Sequence, residues 1–245
     1  MKTINVLSIG NSFSQDAQRY LHDLAASEGV PMETVNLFIG GCPLARHFRN
    51  MAGDRRDYTL QADGHHIEGF SMSIDEALTS RNWDVVTLQQ GSPLSFQEDT
   101  YFPYIEELAD YVRYMCPKAK LLIHQTWGYE TGSERLADTG FTDYDEMFAQ
   151  VKYCYEKAAK KIDADGIIPC GEALQYALHH GVGKVHRDTF HAGLGVGRFI
   201  LALVWYGYIT GNDVRNVTFD RFDVEVTEEE YRIALEAAAS VLDQK

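Results

Sequence analysis

The chain has 245 residues, of which 45% are hydrophobic; this is enough for one large α/β core and excludes a disordered polypeptide. Its formal net charge of −14 disfavours a nucleic-acid partner, because an acidic surface repels a phosphate backbone. No apolar run reaches the roughly 18 residues that a membrane-spanning helix needs, so we expect no membrane partner.

The N-terminus lacks the pattern of a secretory signal, since Lys2 is the only early positive charge and the first apolar run ends at Gly10. We therefore expect a cytoplasmic protein if Met1 is the native start, and a periplasmic or secreted one if a signal peptide has been trimmed. The cysteines have no CxxC spacing, which predicts reduced, mostly buried thiols rather than disulfides or a zinc site. They are Cys42, Cys116, Cys154 and Cys170.

Strand-like apolar runs alternate with segments of helical periodicity along the chain. Strands are predicted at residues 4–9 and 34–39 and within "WDVVTLQQGS", "KLLIHQTWG" and "DGIIPCGEA". Helices are predicted at residues 14–28, 43–51, 74–79, 100–115, 143–162 and 171–180, within "HAGLGVGRFILALVWYGYITG", and at 227–242, where Thr227 and Glu230 form a capping box. Residues 54–73 look like a hairpin with a turn at Asp63-Gly64, and could be a lid, a dimer contact or neither.

Five alternations of strand and helix predict a parallel sheet with helices on both faces. Residues 1–245 contain no repeat, linker or low-complexity segment, so we expect a single domain with a three-layer α/β/α, doubly wound sheet of about five strands. Ligands of such sheets bind at the carboxyl ends of the strands. The residues that follow each strand are therefore the candidates for a functional site.

Ser12 lies on the turn between the first strand and the first helix, in the stretch "INVLSIGNSFSQDAQRYLHDLA". It could cap the helix, since serine is favoured at N-caps, although Ser14 could take that place instead. It could also be a nucleophile at the carboxyl edge of the sheet. A phosphate loop is excluded, because "GNSFSQ" has neither of the glycine patterns of such loops.

Asp188 and His191 lie three residues apart in "HRDTFHAGLG", just before the last apolar helix. One tight turn brings such a pair side by side, and a carboxylate beside a histidine fixes its tautomer and stabilises the imidazolium. Taken alone, Asp188 could be a helix cap and His191 a half-buried, hydrogen-bonded histidine. Together with Ser12 they predict a nucleophile, a base and an orienting carboxylate.

Three blocks of the sequence resemble those of the SGNH (GDSL-type) hydrolases: "IGNSFS", "IGGCPL" and "DTFH". The resemblance extends from about residue 4 to 210, and "TLQQGS", "QTWGY" and "WYGYITG" resemble a poorly characterised bacterial branch. It implies a flavodoxin-like fold and ester hydrolysis with Ser12 as nucleophile, His191 as base and Asp188 as its orienting partner. The N–H groups of Ser12 and Gly41 would bind the oxyanion.

The chain departs from the family in two places. Asn11 replaces the usual aspartate before Ser12, and "LQQGSPLS" replaces the third block, whose asparagine is normally a third oxyanion donor. We hypothesise that Gln89 or Gln90 substitutes for that asparagine, with Gln89 favoured. Alternation along the strand allows only one of them to face Ser12. The alternative is that both glutamines bond the local backbone.

Other residues carry weaker signals. His47 could line the pocket or lie on an exposed helix surface. Trp127, with Tyr129, could form a platform for sugar or acyl groups or simply pack in the core. The adjacent pairs His65-His66 and His179-His180 do not converge on one metal ion, so no metal site is predicted.

These observations predict a serine esterase that removes a short acyl group, above all acetyl, from a carbohydrate or another small polar ester, with no cofactor. Hydrolases and acyltransferases share the acyl-enzyme and cannot be separated at this stage. The rival prediction is a non-catalytic ligand-binding or scaffold protein on a degenerate SGNH fold, favoured by the missing asparagine.

Overall fold

The computed structural model describes residues 2–244. The strands are β1 (Ile4–Gly10), β2 (Met32–Phe38), β3 (Tyr58–Ala62), β4 (His65–Met72), β5 (Val85–Leu88), β6 (Lys120–His124) and β7 (Gly166–Ile168). The helices are α1 (Ser12–Gln18), α2 (Leu21–Ser27), α3 (Leu44–Ala52), α4 (Ile74–Thr79), α5 (Tyr104–Met115), α6 (Glu134–Ala137), α7 (Tyr144–Lys161), α8 (Cys170–His179), α9 (Val196–Thr210) and α10 (Glu228–Leu242).

One mixed sheet forms the centre of the molecule, in the order β4-β3-β2-β1-β5-β6-β7. Five neighbouring strands are parallel to one another, in the order β2-β1-β5-β6-β7. This is the flavodoxin-like order. The predicted parallel core is therefore confirmed, but the sheet has seven strands rather than five. The order of the parallel strands reverses at β1, which places the crevice of the fold beside the carboxyl ends of β1 and β5.

The two additional strands are the predicted hairpin of residues 54–73. Its turn is at Asp63 and Gly64, which both adopt positive φ angles of 50° and 80°, the backbone that a tight hairpin turn requires. β3 pairs antiparallel with β2, so the hairpin extends the sheet instead of standing apart from it. β4 is exposed along almost its whole length and forms the edge.

The segment predicted as one helix, residues 14–28, is two helices in the structure. The last turn of α1 tightens where the N–H of Arg19 bonds the carbonyl of Asp16, and α2 begins at Leu21. Tyr20 lies at the break and is buried, with its hydroxyl accepting the Asp223 N–H and donating to the carbonyl of Leu194. Tertiary hydrogen bonds of this kind leave no periodic signal in the sequence.

Eight of the helices form two groups on the sheet. α1, α2, α8, α9 and α10 contact one another, and so do α3, α4 and α5, as expected when right-handed crossovers cover both faces of a sheet. α9 is buried along most of its length. Within residues 2–244, no helix is long and apolar enough to cross a bilayer. Cys42, Cys154 and Cys170 are buried, which confirms the predicted burial of most of the cysteines, and Cys116 is half-buried.

Candidate active site

The turn from β1 to α1 is held by Asn11 and Ser14. The Asn11 side chain accepts the N–H of Phe13, and the Ser14 hydroxyl accepts the N–H of Asn11. Gly10 is required here, because a Cβ atom at this position would lie 2.1 Å from Oγ of Ser14. Asn11 is therefore the N-cap of α1, and the capping role considered for Ser12 is wrong. The Ser12 hydroxyl is left available for other contacts.

The structure brings the three predicted residues Ser12, His191 and Asp188 into one hydrogen-bonded line. Nε2 of His191 is 2.8 Å from Oγ of Ser12, and Nδ1 of His191 is 2.8 Å from Oδ2 of Asp188. Because a carboxylate only accepts, Nδ1 carries the proton and Nε2 is the acceptor for the serine hydroxyl. The arrangement fits a nucleophile, a general base and its orienting carboxylate.

A short closed loop holds Asp188 and His191. An isolated bridge joins His186 to Ala192, and Oδ1 of Asp188 accepts the N–H of His191 at 3.0 Å. Thr189, inside the loop, adopts a φ of 74°, which is unfavourable for a β-branched residue. Its carbonyl accepts the N–H of Glu130, so the strained backbone is tied to the loop that follows β6.

The pKa of Asp188 is held below its ordinary value. Partial burial alone would raise it, but hydrogen bonds from the side chain and backbone of His191 outweigh that effect, with help from the charges of His191 and Arg187. Asp188 is thus a carboxylate at neutral pH and can stabilise a positive charge on the imidazole. His191 itself is mostly enclosed, with 17% of its side chain exposed.

Gly41 lies in the loop after β2, next to the Ser12 turn. Nδ2 of Asn11 donates to the carbonyl of Cys42 at 3.2 Å, which ties this loop to the start of α1. Gly41 has a φ of 62° and open space at the position of a Cβ atom. Within residues 2–244, the N–H groups of Ser12 and Gly41 donate to no protein acceptor. Both N–H groups are therefore free to donate to a ligand.

The two glutamines after β5 point to opposite sides, as alternation requires. Gln89 lies on the Ser12 side, but its Nε2 donates to Oδ1 of Asn11 at 2.7 Å, and its Oε1 lies 2.8 Å from Nδ1 of His124. Gln90 accepts the N–H of Leu44 and donates to Thr100. No hydrogen bond joins either glutamine to Ser12, so the contacts lend no support to a third oxyanion donor. Gln89 instead orients Asn11.

Two predicted pocket residues are internal. His47 is fully buried, with Nδ1 2.8 Å from the hydroxyl of Tyr58, so it neither lines a pocket nor lies on an exposed helix surface. Trp127 is also fully buried; its ring stacks on Phe13 with centroids 4.3 Å apart, and Nε1 donates to the carbonyl of Phe190. The prediction of a substrate platform is wrong for Trp127, which packs beneath the residues adjacent to Ser12 and His191.

A cleft of about 860 Å³ opens beside the Asp188–His191 loop. Thr189 forms part of its wall, together with Phe96, Tyr129, Arg135 and Asp138. The Arg135 guanidinium lies over the Phe190 ring, 4.0 Å from its centroid, and Phe190 in turn packs against His191. The cleft is thus a mixed polar and aromatic cavity next to the candidate triad, although Ser12 and His191 are not on its wall.

His124 and His47 should make the protein sensitive to acid. Burial lowers the pKa of each to about 3, while in the unfolded chain each titrates near 6.5. Below pH 6.5 the unfolded state therefore binds more protons, so stability falls as the pH falls toward 3. For His124 we expect a loss of about 2 kcal/mol between pH 7 and pH 5.

Urea unfolding of the wild type and His124→Gln at the two pH values measures this contribution. The variant should lose about 2 kcal/mol less than the wild type between pH 7 and pH 5, whatever its absolute stability. The exposed His65→Gln is the matched control and should keep the pH dependence of the wild type. An unchanged pH dependence in His124→Gln would contradict a neutral, buried His124.

The strand order, the serine after β1 and the Asp-x-x-His loop give the chain the fold of the SGNH (GDSL-type) hydrolases. Residues 5–241 match the family described as "Domain of unknown function (DUF4886)", and the chain belongs to that family. A solved DUF4886 family protein from Bacteroides uniformis is similar, with 34% identity, a TM-score of 0.92, and 98% of this chain and 95% of that one covered.

More distant structures share the fold. A candidate SGNH hydrolase from Slackia heliotrinireducens has 21% identity and a TM-score of 0.61, with 84% of this chain and 98% of that one covered. A carbohydrate esterase family 3 protein from Talaromyces cellulolyticus has 12% identity and a TM-score of 0.57, with 85% and 97% covered. A search of curated proteins found no match to this chain.

Proposed function

We propose that this protein is a serine esterase that removes short acyl groups, above all acetyl, from a carbohydrate or another small polar ester. The observation that carries the proposal is the hydrogen-bonded line from Ser12 through His191 to Asp188, with both contacts at 2.8 Å. Nucleophilic acyl transfer requires a serine hydroxyl that is hydrogen-bonded to an oriented imidazole, and Ser12, which does not cap α1, meets this requirement.

In the proposed reaction, Oγ of Ser12 attacks the acyl carbon while Nε2 of His191 takes the hydroxyl proton. Asp188 stabilises the resulting imidazolium, and the N–H groups of Ser12 and Gly41 bind the oxyanion, each worth a few kcal/mol in typical enzymes. The imidazolium then protonates the leaving alcohol as the C–O bond breaks. Water, deprotonated by His191, then attacks the acyl-enzyme. The bond between the acyl carbon and Oγ breaks, the acid leaves, and His191 returns the proton to Oγ of Ser12.

The cleft supports the choice of substrate. Its wall combines aromatic side chains with Arg135, Asp138 and Thr189, a lining suited to a polar molecule with several hydroxyl groups. We place the alcohol part of the ester there, beside Thr189. Among the structural neighbours, one is described as a carbohydrate esterase, and at 12% identity that likeness concerns the fold alone.

Labelling with a fluorophosphonate, together with hydrolysis of p-nitrophenyl acetate, butyrate and octanoate, tests the proposal. We expect one adduct per chain by intact mass, its position at Ser12 by peptide mapping, and fastest turnover of the acetate. If the wild type showed no label and no turnover, the result would favour the rival function, a non-catalytic ligand-binding protein. The engagement of Gln89 with Asn11, which leaves two backbone oxyanion donors, is the observation that favours this rival.

A further inference from the structure

Asp16 is a fully buried carboxylate that the proposed reaction does not use. It lies on α1 four residues after Ser12, and therefore on the same face of the helix one turn further along. Aspartate is almost never fully buried unless it is paired. Its partners are therefore the evidence for its role.

Four hydrogen bonds surround the Asp16 carboxylate. Nη1 of Arg187 lies 2.8 Å from each of its oxygens, and Nε of Arg198 donates to Oδ1 at 2.9 Å. The N–H of Ala192 donates to Oδ2 at 3.2 Å. Both guanidinium groups are largely enclosed, with 25% and 11% of the side chains of Arg187 and Arg198 exposed. Charge-assisted bonds of this kind are short and directional.

Two of these partners are the residues on either side of the segment from Asp188 to His191. Arg187 precedes Asp188 and Ala192 follows His191, and the two are joined because Nη1 of Arg187 also donates to the carbonyl of Ala192. The N–H of Arg187 further donates to the carbonyl of His191 at 3.0 Å. A single carboxylate on the helix of Ser12 thus holds both ends of the loop that presents the base.

We propose that Asp16 is a positioning residue that sets the distance between Ser12 and His191 by anchoring the base loop to the nucleophile helix. This inference rests on the proposed function and adds to it a contact between two elements that are far apart in the sequence. Without Asp16, Arg187 would be freed beside Asp188, whose Oδ2 already lies 3.9 Å from Nε of Arg187. It would then compete with His191 for the same carboxylate.

The test compares Asp16→Asn with Arg19→Gln, at a temperature where circular dichroism shows both variants folded. Arg19 pairs with Asp223, which also binds Arg198, so its replacement weakens the same charged cluster without touching the base loop. For Asp16→Asn we expect kcat and the fluorophosphonate labelling rate to fall by about 10- to 100-fold, because small misplacements of reacting groups have effects of this size. KM should stay within about twofold. Arg19→Gln should keep the wild-type kcat.

The positioning role and the proposed function fail under different results. An active wild type with an equally active, folded Asp16→Asn would overturn the positioning role and leave the proposed function intact. An equal fall of kcat in both folded variants would show that the effect belongs to the charged cluster as a whole, and would also overturn the positioning role of Asp16. A wild type without turnover or label would overturn the proposed function and this inference with it.

If Asp16→Asn does not fold, Arg187→Lys tests the positioning role of Asp16 in its place. It keeps the positive charge beside Asp16 but cannot reach both Asp16 and the carbonyl of Ala192 with a planar group. The expected result is a several-fold lower kcat at unchanged KM. An unchanged kcat in folded Arg187→Lys would overturn the proposal.

Discussion

Replacing Ser12 by alanine is expected to lower kcat for p-nitrophenyl acetate by about 10⁴-fold or more and to abolish fluorophosphonate labelling. The change removes the atom that forms the acyl-enzyme, while the oxyanion donors and the cleft remain. Stability should change by less than about 0.5 kcal/mol, because Asn11, and not Ser12, caps α1. Steady-state kinetics and thermal unfolding followed by circular dichroism measure the two effects.

Ser27→Ala is the matched control for this substitution. Ser27 ends α2, and its hydroxyl donates to the carbonyl of Leu24, away from the candidate triad. It should keep wild-type turnover and label at the same rate. If Ser12→Ala retained more than a tenth of the activity, another group would have to be the nucleophile, and the role given to Ser12 would be wrong.

The parallel core of the fold was predictable, because each buried strand is a continuous apolar run with helical periodicity after it. The position of the hairpin in the sheet was not. Residues 58–72 show alternation and a turn, but pairing of β3 with β2 is a long-range contact that no local pattern encodes. The break between α1 and α2 at Tyr20 has the same origin, since it depends on contacts with residues about 200 positions away.

The candidate triad could be predicted because its residues lie in short blocks whose spacing has chemical meaning. Asp16 could not, since a single aspartate in an amphipathic helix is usually solvated. One signal was available: in the predicted helix Asp16 stands four residues before Tyr20, an apolar position that is buried. His47 and Trp127 show the opposite error, because a polar residue in a helix or an aromatic residue after a strand looks the same in the sequence whether it faces a ligand or the core.

Replacing Trp127 by alanine is expected to destabilise the protein by about 3–5 kcal/mol, which corresponds to a fall in Tm of roughly 10 °C for a domain of this size. The ring is fully buried and stacks on Phe13, so its removal leaves a cavity in the core. Activity should fall as well, because Phe13 follows Ser12 and Phe190 precedes His191. Thermal unfolding and p-nitrophenyl acetate hydrolysis measure the two effects.

Trp127→Phe separates packing from substrate binding, and Trp83→Phe is its matched control. Each tryptophan is buried and donates Nε1–H to a backbone carbonyl, that of Phe190 for Trp127 and that of Ala77 for Trp83. Trp127→Phe should lose about 1–2 kcal/mol, since the buried Phe190 carbonyl is left without a donor. Trp83→Phe should lose less, since the N–H and hydroxyl of Ser80 still donate to the Ala77 carbonyl. Trp83 lies before β5, at the opposite end of the sheet from the site, so only Trp127→Phe should lower kcat. If Trp127 bound substrate, Trp127→Phe would instead raise KM without loss of stability. That result would contradict a packing role for Trp127 beneath the neighbours of Ser12 and His191.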